Sequence, residues 1–331
     1  MKKFPDSKIR WGILGVGDVC EVKSAPAMNK IDRSSLVAVM RRTGEKARDY
    51  AERHQVPKWY DDADELLKDP EINAIYIASP PNAHEYLTQM ALAAGKPVYV
   101  EKPMARTSIE CRSMLTASSK AGLPLYVAYY RRALPNFLKI KELVEEGMIG
   151  DVRLVNIRLY KPANPQLVAK TETEWRLKPE ISGGGYFYDL ASHQLDFLDF
   201  MFGPVETATG FAGNQAGLYD ANDIVSGTFR FKNGVIGTGS WCFTSSDASA
   251  VDQTIIVGSR GQITYPTFDG SHVVLETDRN GTERFEFDLP KHIQQPLIQS
   301  VVDDLLGTGN CPSTGMSGAR TNYVMEQLST V

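Results

Sequence analysis

The sequence predicts an α/β chain of two domains: a doubly wound parallel sheet over residues 1–128, then a strand-rich domain over residues 129–331. Three observations predict it. Apolar strand-like runs alternate with helical patterns from residue 9 to residue 128, the βαβ rhythm of a parallel sheet. A glycine turn, Gly15-Val16-Gly17, follows the first of those runs. Beyond residue 150 most runs are strand-like, and Lys232-Asn233-Gly234 between two of them is a hairpin signal.

A chain of 331 residues is too long for one ordinary core, which supports two. Hydrophobic residues make up 42% and charged residues 23%, as in soluble globular proteins. A net charge of −4 gives no basic field for nucleic acid or an anionic membrane, so a small-molecule substrate is the expected partner. Cys20, Cys111, Cys242 and Cys311 are far apart and form no metal-ligand spacing, so they read as reduced structural thiols and no metal is expected. The first eleven residues carry lysines but no apolar segment of signal-peptide length, and no later segment is long enough to span a bilayer. The expected location is the cytoplasm.

Taken in order, Ile9–Leu14 is the first strand, and it runs into Gly15-Val16-Gly17-Asp18-Val19-Cys20. This is the dinucleotide fingerprint G-x-G-x-x-G/A with cysteine at the third small position. Gly15, Gly17, Asp18 and Val19 are therefore the expected pyrophosphate contacts, through backbone N–H groups at a helix start. A second strand covers residues 36–40. Where an NAD fingerprint places an acid for the ribose 2′-hydroxyl, this chain has Arg41 and Arg42. A guanidinium binds a 2′-phosphate bidentately, so NADP is preferred over NAD, although a basic pair in a solvated loop reads the same way.

Thr43 is the expected cap of the next helix, residues 56–60 a short strand, and Asp61 or Asp62 the start of another helix. The strand at 74–78 ends in Ser79-Pro80-Pro81-Asn82-Ala83-His84. Prolines stop it, and Asn82 can cap the helix that follows. Ser79, Pro80, Asn82 and His84 would then lie beside the glycine turn, where nicotinamide sits; for Asn82 and His84 a plain cap and a satisfied histidine are equal readings.

The stretch 98–103, Val-Tyr-Val-Glu-Lys-Pro, ends a buried strand on one acid, one base and a proline. Glu101 and Lys102 emerge at the carboxyl edge of the sheet, where open α/β sheets bind ligands, and Glu101 either orients Lys102 or contacts the cofactor. A lysine there can polarise a hydroxyl as the ammonium or, with its pKa depressed, deprotonate it as the neutral amine; in isolation the pair also reads as a surface Glu-Lys strand end. A helix capped by Thr107 with Glu110 three residues on, closed by Gly122, and a strand at 125–128 complete the first domain.

In the second half, strands are expected at 151–160, 205–213, 223–231, 235–243, 254–257, 262–265, 273–275 and 284–287, with helices at 293–306 and 317–328. Ser182-Gly183-Gly184-Gly185 leads into a helix through about Phe202, which sets Asp189 and His193 four residues apart on one face. His193 can exchange protons near neutral pH, and Asp189 can orient it or bind a substrate hydroxyl. By themselves they also read as a local hydrogen bond, and Asp196 extends the same face as an equal partner.

Gly15-Val16-Gly17, Ser79-Pro80 with His84, Glu101-Lys102-Pro103, and Gly183-Gly184-Gly185 with Asp189 and His193 together resemble the Gfo/Idh/MocA oxidoreductases, the glucose-fructose oxidoreductase and inositol dehydrogenase group. The resemblance implies an N-terminal Rossmann domain and a C-terminal α+β domain built on a largely antiparallel sheet that carries substrate contacts and forms a homodimer or homotetramer. It further implies that His193 is catalytic and Asp189 a substrate-binding acid. Trp175-Arg176 resembles an element in which arginine reaches the cofactor; a docking loop with a buried tryptophan is the other reading of 161–179. Arg131, one of the expected cofactor contacts, stands in a family Asn-Arg pair, with Tyr130 in place of the asparagine. The expected activity is hydride transfer between NADP, alternatively NAD, and a sugar or related polyhydroxylated compound, with Lys102 and His193 handling the proton. Trans-dihydrodiol dehydrogenase and aldose or anhydrosugar reductase activities use the same residues. A non-catalytic NADP-binding sensor is the competing class, and it has no need of Lys102, Asp189 and His193 together.

Overall fold

Ile9–Leu14 (β1) sits at the centre of a six-stranded parallel sheet, flanked by Ser34–Met40 (β2) and Ala74–Ile77 (β4). Lys58–Tyr60 (β3), Val98–Val100 (β5) and Leu125–Val127 (β6) complete the order β3-β2-β1-β4-β5-β6. That order reverses direction at β1 and β4, which makes a switch point at the carboxyl ends of the strands, just beyond Leu14 and Ile77. Every residue of β4, β5 and β6 is buried, because helices cover both faces of a parallel sheet. Leu14, Ile75, Ile77, Val98, Val100, Met104 and Val127 belong to one core cluster of this sheet. The computed structural model describes residues 7–163 and 174–330. The lysines at the start of the chain, Lys2 and Lys3, and residues 164–173 of the 161–179 loop lie outside the described residues.

The second sheet has eight strands: Val152–Tyr160 (β7), Val205–Gly213 (β8), Ile224–Phe231 (β9), Ile236–Cys242 (β10), Val251–Gly258 (β11), Gly261–Tyr265 (β12), Val273–Thr277 (β13) and Gly281–Phe285 (β14). Their order is β14-β13-β12-β11-β7-β10-β9-β8. All pairings are antiparallel except β7 with β10, a parallel pair whose long crossover is supplied by the intervening helices and the β8-β9 pair. Buried residues alternate with exposed ones along β9 and β10, so this sheet packs one face on the core. Phe137, Phe197 and Tyr265 meet there edge to face, at centroid distances of 4.7 to 6.0 Å.

Both expectations of class therefore hold: a doubly wound parallel sheet, then an α+β domain on a largely antiparallel one. The chain divides into two compact units, Met1–Tyr130 with Pro290–Ala319, and Arg131–Leu289 with Arg320–Val331. The sequence partition differs for Pro290–Ala319, which it assigns to the second domain. Contacts far apart in sequence explain this: Gln294 Nε2 donates to Glu101 and Ser313 Oγ to the Val127 carbonyl. The helix Gly315–Ser329 begins in the first unit and ends in the second.

Several local expectations are corrected. Asn82 is not a cap: Pro81–Ala83 form a 3-10 turn, the helix His84–Ala93 starts with Ala83 at its cap, and Asn82 is exposed. Thr43 occupies the cap position of Gly44–His54 without a side-chain cap bond; its carbonyl takes Lys46 and Ala47 N–H. The helix after the glycine turn is only Asp18–Val22, and a second short helix, Ala25–Met28, carries Pro26, which has no N–H to continue a ladder from the first. Asp62 caps Ala63–Lys68, and Thr107 caps Ser108–Ala121, as read. Among the described residues no helix is long and apolar enough to cross a membrane, and no cluster of His, Cys, Asp and Glu could hold a metal ion.

Candidate active site

In the first unit, three turns meet at the carboxyl edge of the parallel sheet. Gly15 has φ +85°, and a Cβ there would lie 2.8 Å from the Cα and Cβ of Ser79, so the glycine turn and the Ser79 turn touch backbone to backbone. His84, fully buried, ties the Ser79 turn to the third. Its Nε2 lies 2.8 Å from the Ser79 carbonyl, and its Nδ1 lies 3.1 and 3.2 Å from the carbonyls of Pro103 and Met104. Burial holds this imidazole below its ordinary pKa. The neutral ring carries a single N–H, so it donates to one of the two turns and packs against the other, and His84 lies between them as a brace. Lys102-Pro103 is a cis peptide, and Lys102 is half-buried at the end of β5.

The carboxylate of Glu101 accepts three hydrogen bonds. Tyr76 Oη and Gln294 Nε2 donate to Oε1, each at 2.6 Å, and Lys102 N donates to Oε2 at 3.1 Å. Tyr99 Oη donates to Gln294 Oε1 at 2.8 Å. Tyr76 and Tyr99 stack at 5.0 Å on neighbouring strands, and burial, with the nearby carboxylate, pushes both phenols well above their ordinary pKa, so they remain donors.

The glycine turn fits a dinucleotide pyrophosphate. A Cβ on Gly17 would meet nothing nearer than the Gly15 carbonyl oxygen at 3.8 Å, so the backbone is open to close approach. Asp18 is exposed and Val19 half-buried in the short helix that follows. Cys20 fills the third fingerprint position fully buried, and burial raises its thiol to about 12, so it packs and does not react. Arg41, half-buried, and Arg42, exposed, follow β2, and Arg41 N donates to the Tyr60 carbonyl.

In the second unit the expected single helix is interrupted. Phe187–Ala191 is a π-helical segment that carries Asp189, and the α-helix Ser192–Phe202 carries His193. π segments occur frequently at functional sites. Arg176 Nε donates to Asp189 Oδ2 at 3.2 Å, and the Arg176 guanidinium lies over the Trp175 ring at 4.4 Å. Asp196, the other expected partner of His193, binds Arg132 through both oxygens at 2.7 Å. Burial raises the Asp196 carboxyl to about 6 despite that arginine.

His193 is 4% exposed and meets the Phe268 ring edge to face at 6.0 Å. Arg131, read in the sequence as a cofactor contact, is buried in this unit. Its Nε and Nη2 donate to the Thr267 carbonyl at 3.2 and 3.1 Å, and its guanidinium lies 4.6 Å from the centre of the Phe268 ring. The loop that presents Phe268 is fixed by Asp252, whose carboxylate accepts the N–H of Thr267, Phe268 and Asp269 at 3.0, 2.5 and 2.9 Å. Lys161 pairs with Asp269.

Residues 9–129 match the oxidoreductase family with an NAD-binding Rossmann fold, and residues 137–264 match the GFO/IDH/MocA C-terminal domain. The chain belongs to the GFO/IDH/MocA oxidoreductase family. An oxidoreductase of Formosa agariphila is 40% identical over 324 residues, covering 97% of this chain and 98% of that one. The trans-1,2-dihydrobenzene-1,2-diol dehydrogenase of Xenopus laevis is 29% identical, covering 87% and 83%. A levoglucosan dehydrogenase solved with NADH and levoglucosan superposes with a TM-score of 0.85 over 97% of this chain and 96% of that one; at 20% identity this likeness is one of fold. This member of the family is a nicotinamide-dependent oxidoreductase.

The sequence reading missed Tyr76, Tyr99, Gln294, Asp252 and Phe268. The tyrosines carried a faint signal, since a hydroxyl inside a fully apolar strand must find a partner. Gln294, Asp252 and Phe268 carried none.

Proposed function

We propose that the protein transfers hydride between NADP and a CH–OH carbon of a carbohydrate or related polyhydroxylated compound. The observation that carries this reading is the placement of Lys102 on a turn braced by His84 against the Ser79 turn, which itself touches Gly15 of the dinucleotide turn. Gly15, Gly17, Asp18 and Val19 would hold the pyrophosphate, Arg41 and Arg42 the 2′-phosphate, and Ser79, Pro80 and Glu101 the nicotinamide end. The cofactor, when bound, supplies the hydride acceptor or donor. Lys102 donates a hydrogen bond to the reacting oxygen, His193 takes up or returns its proton, and Asp189 binds a neighbouring substrate hydroxyl. Relatives named for a dihydrodiol and for levoglucosan support a vicinal or cyclic polyol as the substrate class.

The test is reduction of NADP by levoglucosan, trans-1,2-dihydrobenzene-1,2-diol and a panel of aldoses, and the reverse reaction with ketoses and NADPH. Lys102→Ala should lower turnover by about 10²–10⁴-fold with cofactor affinity kept, as removal of a proton-handling group does. Undiminished turnover in Lys102→Ala overturns the mechanism. Cofactor binding without turnover anywhere in the panel favours a sensor.

A further inference from the structure

We propose that Gln294 is a positioning residue for Lys102, acting through the Glu101 carboxylate. The inference rests on the catalytic reading of Lys102 given above. Gln294 lies 193 residues from Glu101 in sequence, yet is 1% exposed and bonded to it. Its amide orientation is fixed by its two partners. The Tyr99 hydroxyl hydrogen is directed to Gln294 Oε1, which leaves Nε2 to face the carboxylate; a turned amide would set its carbonyl oxygen against Glu101.

The carboxylate is thereby divided between two tasks. Oε1 is held from inside the unit by Gln294 and Tyr76, while Oε2 receives the backbone N–H of Lys102. Sheet bonding reaches as far as Glu101 N, which donates to the Ile77 carbonyl, and Val100 O, which accepts from Ala128 N. One residue further, the carboxylate takes over as the acceptor that orients the chain.

Gln294 is itself a fixed point. Its backbone caps the helix Gln295–Leu305, its carbonyl accepts from Ile298 N at 2.9 Å, and its N–H donates to the Lys23 carbonyl at 3.0 Å. His292 Nδ1 lies 2.6 Å from the Val22 carbonyl. The same short segment therefore grips the far end of the helix that begins at the glycine turn and, through one side chain, the acid beside Lys102. Moving either would move the other.

The test measures amide hydrogen exchange by NMR on the deuterated protein, with turnover in parallel. In Gln294→Leu, which keeps the size and removes both polar groups, the Lys102 amide should exchange at least tenfold faster, while the sheet amides of Ile75 and Val98 stay within twofold. Tyr99→Phe, which removes only the group that orients Gln294, should change the same amide in the same direction by less, and it carries the test if Gln294→Leu does not fold. Turnover should fall at least tenfold in Gln294→Leu with the KM for NADPH within threefold. Lys102 exchange within twofold of wild type in these variants, or uniform acceleration of all three amides, overturns the proposal. Full turnover in Lys102→Ala instead overturns the catalytic reading of Lys102, while the exchange result still reports the hold of Gln294 on Glu101.

Discussion

The ring of Phe268 stands edge to face against the imidazole of His193, with centroids 6.0 Å apart and planes at 71°. Its position is set by Asp252, whose carboxylate gathers three consecutive backbone N–H groups of the Phe268 loop. Loss of those acceptors in Asp252→Ala leaves the two part-buried donors, Thr267 N–H and Phe268 N–H, without their partner, at a cost of about 1–3 kcal/mol. Urea unfolding checks the cost. The His193 ring signals in NMR should shift in Asp252→Ala and in Phe268→Leu, and stay near their wild-type positions in Phe268→Tyr. Unmoved signals in both of the first two variants would show that the loop does not set the imidazole.

Gly15 and Gly17 should respond oppositely to alanine. Gly15→Ala places a Cβ against the Ser79 backbone at a left-handed φ, which costs about 1–2 kcal/mol in conformation alone before the clash is relieved. Gly17 is extended, at φ −153°, with space around it. Its alanine variant should melt within about 2 °C of wild type, a small ΔΔG on this scale, and still lose dinucleotide affinity at least tenfold, because the added methyl occupies the approach to the turn. Calorimetry and a cofactor titration separate the two effects.

Arg41→Ala should weaken NADPH at least tenfold and leave NADH within twofold, since a guanidinium pairs with a 2′-phosphate and an unphosphorylated ribose offers it no charge. Equal losses for the two cofactors, or NADH bound more tightly than NADPH by wild type, would sink the preference for NADP.

The pH dependence of stability carries the mark of Asp196. Burial raises its carboxyl from 3.8 unfolded to about 6 in the fold, so the folded state binds the proton more tightly than the unfolded state. The contribution of this group is fully present below pH 3.8 and is lost as pH rises through about 6. Urea midpoints of Asp196→Asn, compared with wild type between pH 4 and pH 7, should lack that component; parallel profiles would contradict it. Asp196→Ala, which strips a partner from the buried Arg132, should cost about 3–5 kcal/mol.

The sequence by itself determined the parallel sheet, the glycine turn and the place of Lys102, because each is local: apolar runs of strand length, a left-handed glycine directly after one of them, and a charged pair at the end of another. It also placed the Ser79 turn beside Gly15, since strand order at a switch point brings those ends together. Tertiary structure decided what those local patterns leave open. Asn82 loses the cap because a 3-10 turn forms first, and His84 is drawn inward to three backbone carbonyls. Arg131 and Asp196 find partners in Thr267 and Arg132, and Pro290–Ala319 returns to the first unit with Gln294 at Glu101. The physical reason is common to these cases. A buried polar group must be satisfied by whatever the fold brings within hydrogen-bonding distance, and periodicity along the chain holds no record of a partner 64 or 193 residues away.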